Sequence, residues 1–159
     1  MLHTLAALVE NHSGVLARVA GLFARRAYNI DSLSVCQTEN PELSRMTIVV
    51  NGDDQIIEQV RSQLNKLVAV HSVMDLTEES IVDRELALVR VKVSAETRSE
   101  VLQIVDVFRG RVVDMGRSNI TVEITGDSGK LDAFVNSISP YGLVELVRTG
   151  KIAIMRSEA

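Results

Sequence analysis

Residues 3 to 10 alternate Leu5, Ala7 and Val9 with Ala6, Leu8 and Glu10. Apolar groups on nearly both faces predict a strand at the centre of its sheet. Asn11, His12, Ser13 and Gly14 break that pattern, and Val15, Leu16, Val19, Leu22 and Phe23 follow at helical spacing. The predicted helix runs about 13 residues and ends near Tyr28 and Asn29. Ile30 to Gln37 and Arg45 to Asn51 read as two further strands joined through Asn40 and Pro41, where a missing amide does no harm. Asp53 is placed to cap a second helix carrying Ile56, Ile57, Val60, Leu64 and Leu67 on one stripe. Val68 to Leu76 closes the set as a fourth strand.

The same order then returns. Leu86 to Val93 alternates as a strand, Glu96 to Phe108 follows as a helix, and Arg111 to Gly116 with Ile120 to Thr125 forms a hairpin. Val101, Leu102, Val105 and Phe108 reproduce the spacing of Val15, Leu16, Val19 and Leu22 at a shift of 86 residues. Leu131, Phe134 and Ile138 repeat Ile57, Val60 and Leu64 at a shift of 74, and Gly126-Asp127 matches Gly52-Asp53 at the same shift. On these offsets the second copy is 12 residues shorter through its hairpin. Leu143 to Met155, interrupted at Thr149 and Gly150, finishes it. Each half thus reads as βαββαβ, and the fold class is α+β: two ferredoxin-like units with two helices on one face of a four-stranded antiparallel sheet. The expected division is residues 1–76, an acidic connector at 77–84, and a second unit at 85–159. Units of this size have small cores, so packing against another subunit or the other half is expected.

Composition narrows the chemistry. At 46% apolar and 24% charged residues the 159-residue chain is that of a folded protein rather than a disordered one. Its net charge of −4 and its five aromatics argue against nucleic-acid phosphates as the ligand. In particular, the central strands at 3–10, 45–51, 86–93 and 120–125 lack the aromatic platforms that ferredoxin-like RNA binders use for stacking. A single Cys36 permits no internal disulfide and reads as a small buried hydrophobe. No stretch near the start approaches the length of a membrane span or a signal peptide, so a cytoplasmic protein is expected.

No phosphate loop, dinucleotide fingerprint, nucleophile elbow or HExxH motif occurs. His3, His12 and His71 share no ligand spacing with one another or with Cys36, so neither catalysis nor a metal site is expected. What stands out is Asn11, His12, Ser13, Gly14, Val15 and Leu16, between the first strand and the first helix. Glycine at a helix entrance lets a ligand approach the free amides of the first turn, where the helix dipole favours a carboxylate. Asn11 brings a donor and an acceptor suited to the charged ends of an amino acid, and Val15 and Leu16 offer apolar contact. The plainer alternative is a tight βα turn capped by Ser13 or Asn11.

Taken together, Glu10-Asn-His-Ser-Gly-Val-Leu16, Gly21-Leu-Phe23, Arg26-Ala-Tyr-Asn-Ile30, Ser44-Arg-Met-Thr-Ile48 and Leu64-Asn-Lys-Leu67 closely resemble the ACT domain of acetohydroxyacid (acetolactate) synthase small subunits. The likeness continues through Arg84-Glu-Leu, Phe108-Arg-Gly110 and Ser128-Gly-Lys-Leu-Asp-Ala-Phe134. The resemblance implies a noncatalytic regulatory subunit in branched-chain amino-acid biosynthesis, partnered by a large catalytic subunit and by a second copy of itself. The small subunit raises the activity of the large one and makes it sensitive to an end product, usually valine. Thiamine diphosphate, Mg and FAD are expected on the catalytic partner and no cofactor on this chain. In ACT dimers, edge strands of two subunits pair into an eight-stranded sheet with effectors at the seam. On that pattern Asn11, His12, Ser13, Gly14, Val15 and Leu16 of one subunit face Asn29 and Ile30 of the other. Many ACT domains carry proline where this chain has Ser13, which leaves the turn less preorganised. A rival expectation is a free-standing ACT-type sensor that regulates some other enzyme.

Overall fold

The computed structural model describes residues 1–158. The elements are β1 (Leu2–Glu10), α1 (Val15–Arg25), β2 (Ile30–Gln37), β3 (Leu43–Asn51), α2 (Asp54–Asn65), β4 (Val70–Asp75), β5 (Ile81–Lys92), α3 (Arg98–Val107), β6 (Arg111–Met115), β7 (Asn119–Gly126), α4 (Ser128–Gly142), β8 (Leu143–Arg148) and β9 (Ile152–Met155). They form two compact units. One comprises Met1–Val82 with the chain from Lys151 onward, and the other Asp83–Gly150.

The first sheet has the order β2-β3-β1-β4, all antiparallel, so the two most apolar strands are the central ones. Opposite Leu5 stands Ile48 and opposite Ala7 stands Met46. These residues, with Val9 and Val50, pack under Val15, Val19, Leu22 and Phe23 of α1 and Ile57, Val60 and Leu64 of α2. Period-2 side chains on the strands thereby meet period-3.6 stripes on the helices. The second sheet repeats the arrangement with the order β6-β7-β5-β8 and has a fifth strand, β9, paired with β5 off that path. Its core joins Ala87, Val89 and Val91 to Val101, Val105, Leu131, Phe134 and Ile138.

The expected Asp53 cap forms, and its repeat match Asp127 caps α4 in the same way. Asp53 accepts from Ile56 N and Asp127 from Lys130 N, each at 2.8 Å, satisfying an amide that the first helical turn leaves open. The first helices of the two units also end alike. Tyr28 N bonds Phe23 O and Ala27 N bonds Ala24 O in one unit, and Gly110 N bonds Val105 O and Arg109 N bonds Asp106 O in the other. These are Schellman ends, and Ala27 and Arg109 hold their left-handed position at φ 56° without glycine.

Those ends correct the internal alignment. They match α1 to α3 at a shift of 82, so Val19 corresponds to Val101 and Phe23 to Val105, about one helical turn from the sequence-based offset of 86. With the shift of 74 at the Asp caps, the second unit is shortened by the difference of 82 and 74, eight residues rather than 12.

Three further expectations change. Cys36 is exposed, because β2 is an edge strand and this end of it lies outside the core. The segment expected as a connector is strand from Ile81 onward, its apolar Ile81 packing with Ala6, Leu76 and Ala153. Finally, the chain from Lys151 groups with the first unit, although its strand β9 pairs β5. There Arg45 Nη2 donates to Ala153 O at 2.8 Å and Lys151 N to Ser32 Oγ at 3.1 Å. Ala6 and Arg45 belong to the sheet face turned away from the helices, so the C-terminal segment covers part of the face left open by βαββαβ architecture.

Candidate functional site

The turn between β1 and α1 is anchored before it opens. Glu10 N donates to Ala69 O and Asn11 N to Glu42 O, both at 2.8 Å, and Asn11 Nδ2 donates to Pro41 O at 2.9 Å. Asn11 therefore spends an amide donor on the β2–β3 loop, and its side-chain carbonyl oxygen can still accept a hydrogen bond. His12 Nε2 sits 2.8 Å from Glu10 Oε2, and its Nδ1 sits 3.2 Å from Ser13 O.

Gly14 is the N-cap of α1, at φ 89° and ψ −14°, and the helix receives no side-chain cap. Neither Ser13 nor Asn11 supplies the cap that the plain-turn alternative assigns to them. A Cβ built on Gly14 would have nothing within 4 Å. The glycine is thus required by its backbone angle and not by crowding, and the space before it is open. The first turn of α1 carries no acidic residue, so the positive end of the helix is not neutralised from within its own first turn. Leu16 is 46% exposed, whereas Val15 is 3% exposed and belongs to the core. Of the two apolar contacts expected for a ligand, Leu16 is the accessible one.

Asn29 and Ile30 lie beyond the far end of α1, whose 11 residues span about 16 Å. Asn29 is exposed, with Nδ2 donating to Asp31 Oδ1 at 3.2 Å, and Ile30 opens the edge strand β2 opposite Val50. One chain does not bring these two residues to the turn. In the expected arrangement they come from a second copy, and β2 has its outer edge unpaired.

Sequence spacing missed two neighbours of the turn. Glu10 lies between His12 and His71, with His71 Nε2 3.5 Å from Glu10 Oε1. Hydrogen bonds from His12 and His71 hold the Glu10 carboxyl below its ordinary value. The hydrogen bond to Glu10, and then that to the Ser13 carbonyl, raise His12. The signal was readable only in part: Glu10 and His12 are two apart at a strand exit, but His71 arrives from β4 by sheet pairing. Val15, Val19, Leu67 and Val70, with Arg18 and Lys66, also line a cavity of about 250 Å³ beside α1. Among the described residues no three His, Cys, Asp or Glu side chains converge as a metal site requires.

The βαββαβ unit with the open glycine entrance to its first helix is an ACT domain: residues 5–72 match the family described as the AHAS small subunit-like ACT domain. Residues 84–157 match a second family, the small subunit of acetolactate synthase. The chain is 53% identical over 156 residues to a probable acetolactate synthase small subunit of Archaeoglobus fulgidus, covering 98% of each. It is 46% identical over 154 residues to the acetolactate synthase small subunit of Mycobacterium bovis, covering 97% of this chain and 92% of that one. The crystal structure of the acetolactate synthase small subunit from Thermotoga maritima superposes with a TM-score of 0.91 at 41% identity, covering 100% of this chain and 99% of the other. The chain belongs to the acetolactate synthase small-subunit family. Among the described residues no helix is long and apolar enough to cross a membrane.

Proposed function

We propose that this chain is the regulatory, noncatalytic subunit of an acetolactate synthase, that it activates the large catalytic subunit, and that it confers feedback inhibition by valine. The observation that carries the effector reading is the uncapped entrance to α1, with Gly14 at positive φ and open space before it. A carboxylate there meets first-turn amides and the positive end of the helix dipole. Leu16 then offers apolar surface to a branched side chain, and Asn11 an acceptor to the ammonium. Pairing of β2 with the β2 strand of a second copy completes the site with Asn29 and Ile30 of the partner subunit and removes an unpaired edge. Thiamine diphosphate, Mg and FAD belong, on this reading, to the large subunit, and the complex works in the cytoplasm.

Reconstitution tests the proposal. The large subunit alone is expected to form acetolactate slowly, faster with this chain added, and slowly again on addition of valine, with leucine and isoleucine as comparisons. A chain that neither copurifies with the large subunit nor alters its rate, yet binds an amino acid, is the free-standing sensor instead.

A further inference from the structure

We infer that the first unit carries a second ligand site, away from the glycine turn, built to receive a primary ammonium or guanidinium group. A cavity of about 320 Å³ is lined by His3 at the start of β1, by Asp54 and Glu58 of α2, and by Asp75, Thr77, Glu78 and Glu79 at and after the end of β4. Five carboxylates and no basic side chain line it, apart from the imidazole itself.

The imidazole is what turns an acidic cluster into a site. His3 is 3% exposed, and its Nε2 is buried with no hydrogen-bond partner. The tautomer follows from Thr77. Its hydroxyl donates to Asp75 Oδ1 and accepts from Thr4 N at 3.1 Å, so its single proton is committed. His3 Nδ1, 3.3 Å from the same oxygen, must therefore be the donor of that contact. In its neutral form the imidazole has one N–H, which leaves Nε2 as a bare acceptor. A buried acceptor without a donor is costly, and such atoms are rare in folded chains. The Asp54 carboxylate stands 3.8 Å from Nε2, and as an ionised acceptor it has no proton to give. Its side chain is 97% exposed and so is not held by packing.

An N–H donor carrying positive charge satisfies both halves of this arrangement. It shares a proton with Nε2 and lies among carboxylates of which only Glu58 has a cationic partner among the described residues, Arg61 Nη1 at 3.1 Å. The same carboxylates exclude a ligand bearing its own carboxylate, so the amino-acid effector does not fit here. A chelated metal is disfavoured because no three of the acidic or imidazole groups converge. The occupant is a small aliphatic amine, or the same chemistry presented by a lysine or arginine of a protein partner.

The test titrates the full chain with 1,4-diaminobutane, with 1,4-butanediol as the uncharged control, following heat and the imidazole ¹⁵N resonances together. The assignment predicts saturable binding of the diamine and not the diol, with His3 Nε2 shifted. It predicts about tenfold weaker binding in Glu78→Gln/Glu79→Gln, whose exposed positions leave the core untouched. A second arm repeats the comparison with the large subunit present. Weaker association of the double variant, with the diamine competing, assigns the site to a partner's basic side chain. A diamine that does not bind, together with a double variant that associates normally, overturns the inference. So does diamine binding that leaves His3 unmoved.

Discussion

The two units open their first helices in different ways. In the first, Gly14 stands at φ 89° with no side-chain cap and nothing in front of it. In the second, α3 also has no side-chain cap at its N-cap Thr97, but the loop that leads into it is tied up by its own residues. Ser94 N donates to Thr97 Oγ1 at 2.9 Å, Thr97 N to Ser94 Oγ at 3.2 Å, and Arg98 Nη2 to Arg117 O at 3.0 Å. Everything around the entrances is shared: the Asp caps, the Schellman ends and the antiparallel sheet order. The lesson is that one scaffold was kept twice while the loops that lead into its first helices were built differently. On the proposed function, effector sensing falls to the first unit and a contribution to full activation of the large subunit to the second.

The largest expected effect breaks this asymmetry directly. Gly14→Asp places a negative charge where the carboxylate sits; at an effective dielectric near 20, two charges about 5 Å apart repel by roughly 3 kcal/mol. Valine affinity is expected to fall about a hundredfold by titration calorimetry, with activation of the large subunit retained. Any side chain here also bears left-handed strain of about 1–2 kcal/mol, which Asn tolerates better than Ala. Gly14→Asn isolates the charge, since it has similar size and backbone tolerance, and it should lose far less affinity than Gly14→Asp.

Next in size is removal of the chain from Lys151 onward. This uncovers Ala6 and Leu76 and takes away the partner of Arg45. The first unit is expected to lose about 2 kcal/mol, from buried apolar area and one hydrogen bond. Hydrogen exchange at the β1 and β3 amides reads the loss, together with the β5 amides that pair β9, and the β6–β7 amides of the second unit should change less. For the same reason a fragment ending near Glu79 is a poor carrier of effector binding unless residues 151–159 are restored.

A smaller effect sharpens the comparison from the other side. Ser94→Ala/Thr97→Ala removes the reciprocal hydrogen bonds of the loop that leads into α3 and is expected to cost that unit about 1 kcal/mol in denaturant unfolding. The valine response should be unchanged, because no ligand is assigned there.

The smallest effect is in pH. The His12–Glu10 pair raises the imidazole and lowers the carboxyl. The His12 contribution is complete below its ordinary value of about 6.5 and fades as pH climbs through the raised folded value. That of Glu10 is complete above its ordinary 4.5 and fades as pH falls through the lowered one. Amide exchange at residues 11–14 should differ between the chain and His12→Gln most between these two ordinary values, and converge at higher pH.

Much of this was legible along the chain. Strand alternation and helical stripes located the elements and the two-unit repeat, Asp53 was readable as a cap, and the match of Gly126-Asp127 to Gly52-Asp53 marked where the second one falls. Periodicity could not fix the helix register, because sliding Val101 and Val105 by one turn preserves the stripe. It could not show that Cys36 is exposed, since alternation does not tell an edge strand from a buried one. Nor could it bring residues 151–155 back to Ala6, place His71 on Glu10, or leave His3 without a donor. Those depend on contacts between residues far apart in sequence, as do Asn29 and Ile30, which lie at the other end of α1 from the turn.

The measurement that bears most directly on the central claim is a crystal structure of the chain grown with valine. The account predicts valine at the seam between two β2 strands. Its carboxylate should lie within hydrogen-bond distance of the first-turn amides after Gly14, with Asn29 and Ile30 of the partner subunit on its other side. Valine seated instead in the cavity between Arg18 and Lys66, or a dimer without β2 at its seam, would contradict it.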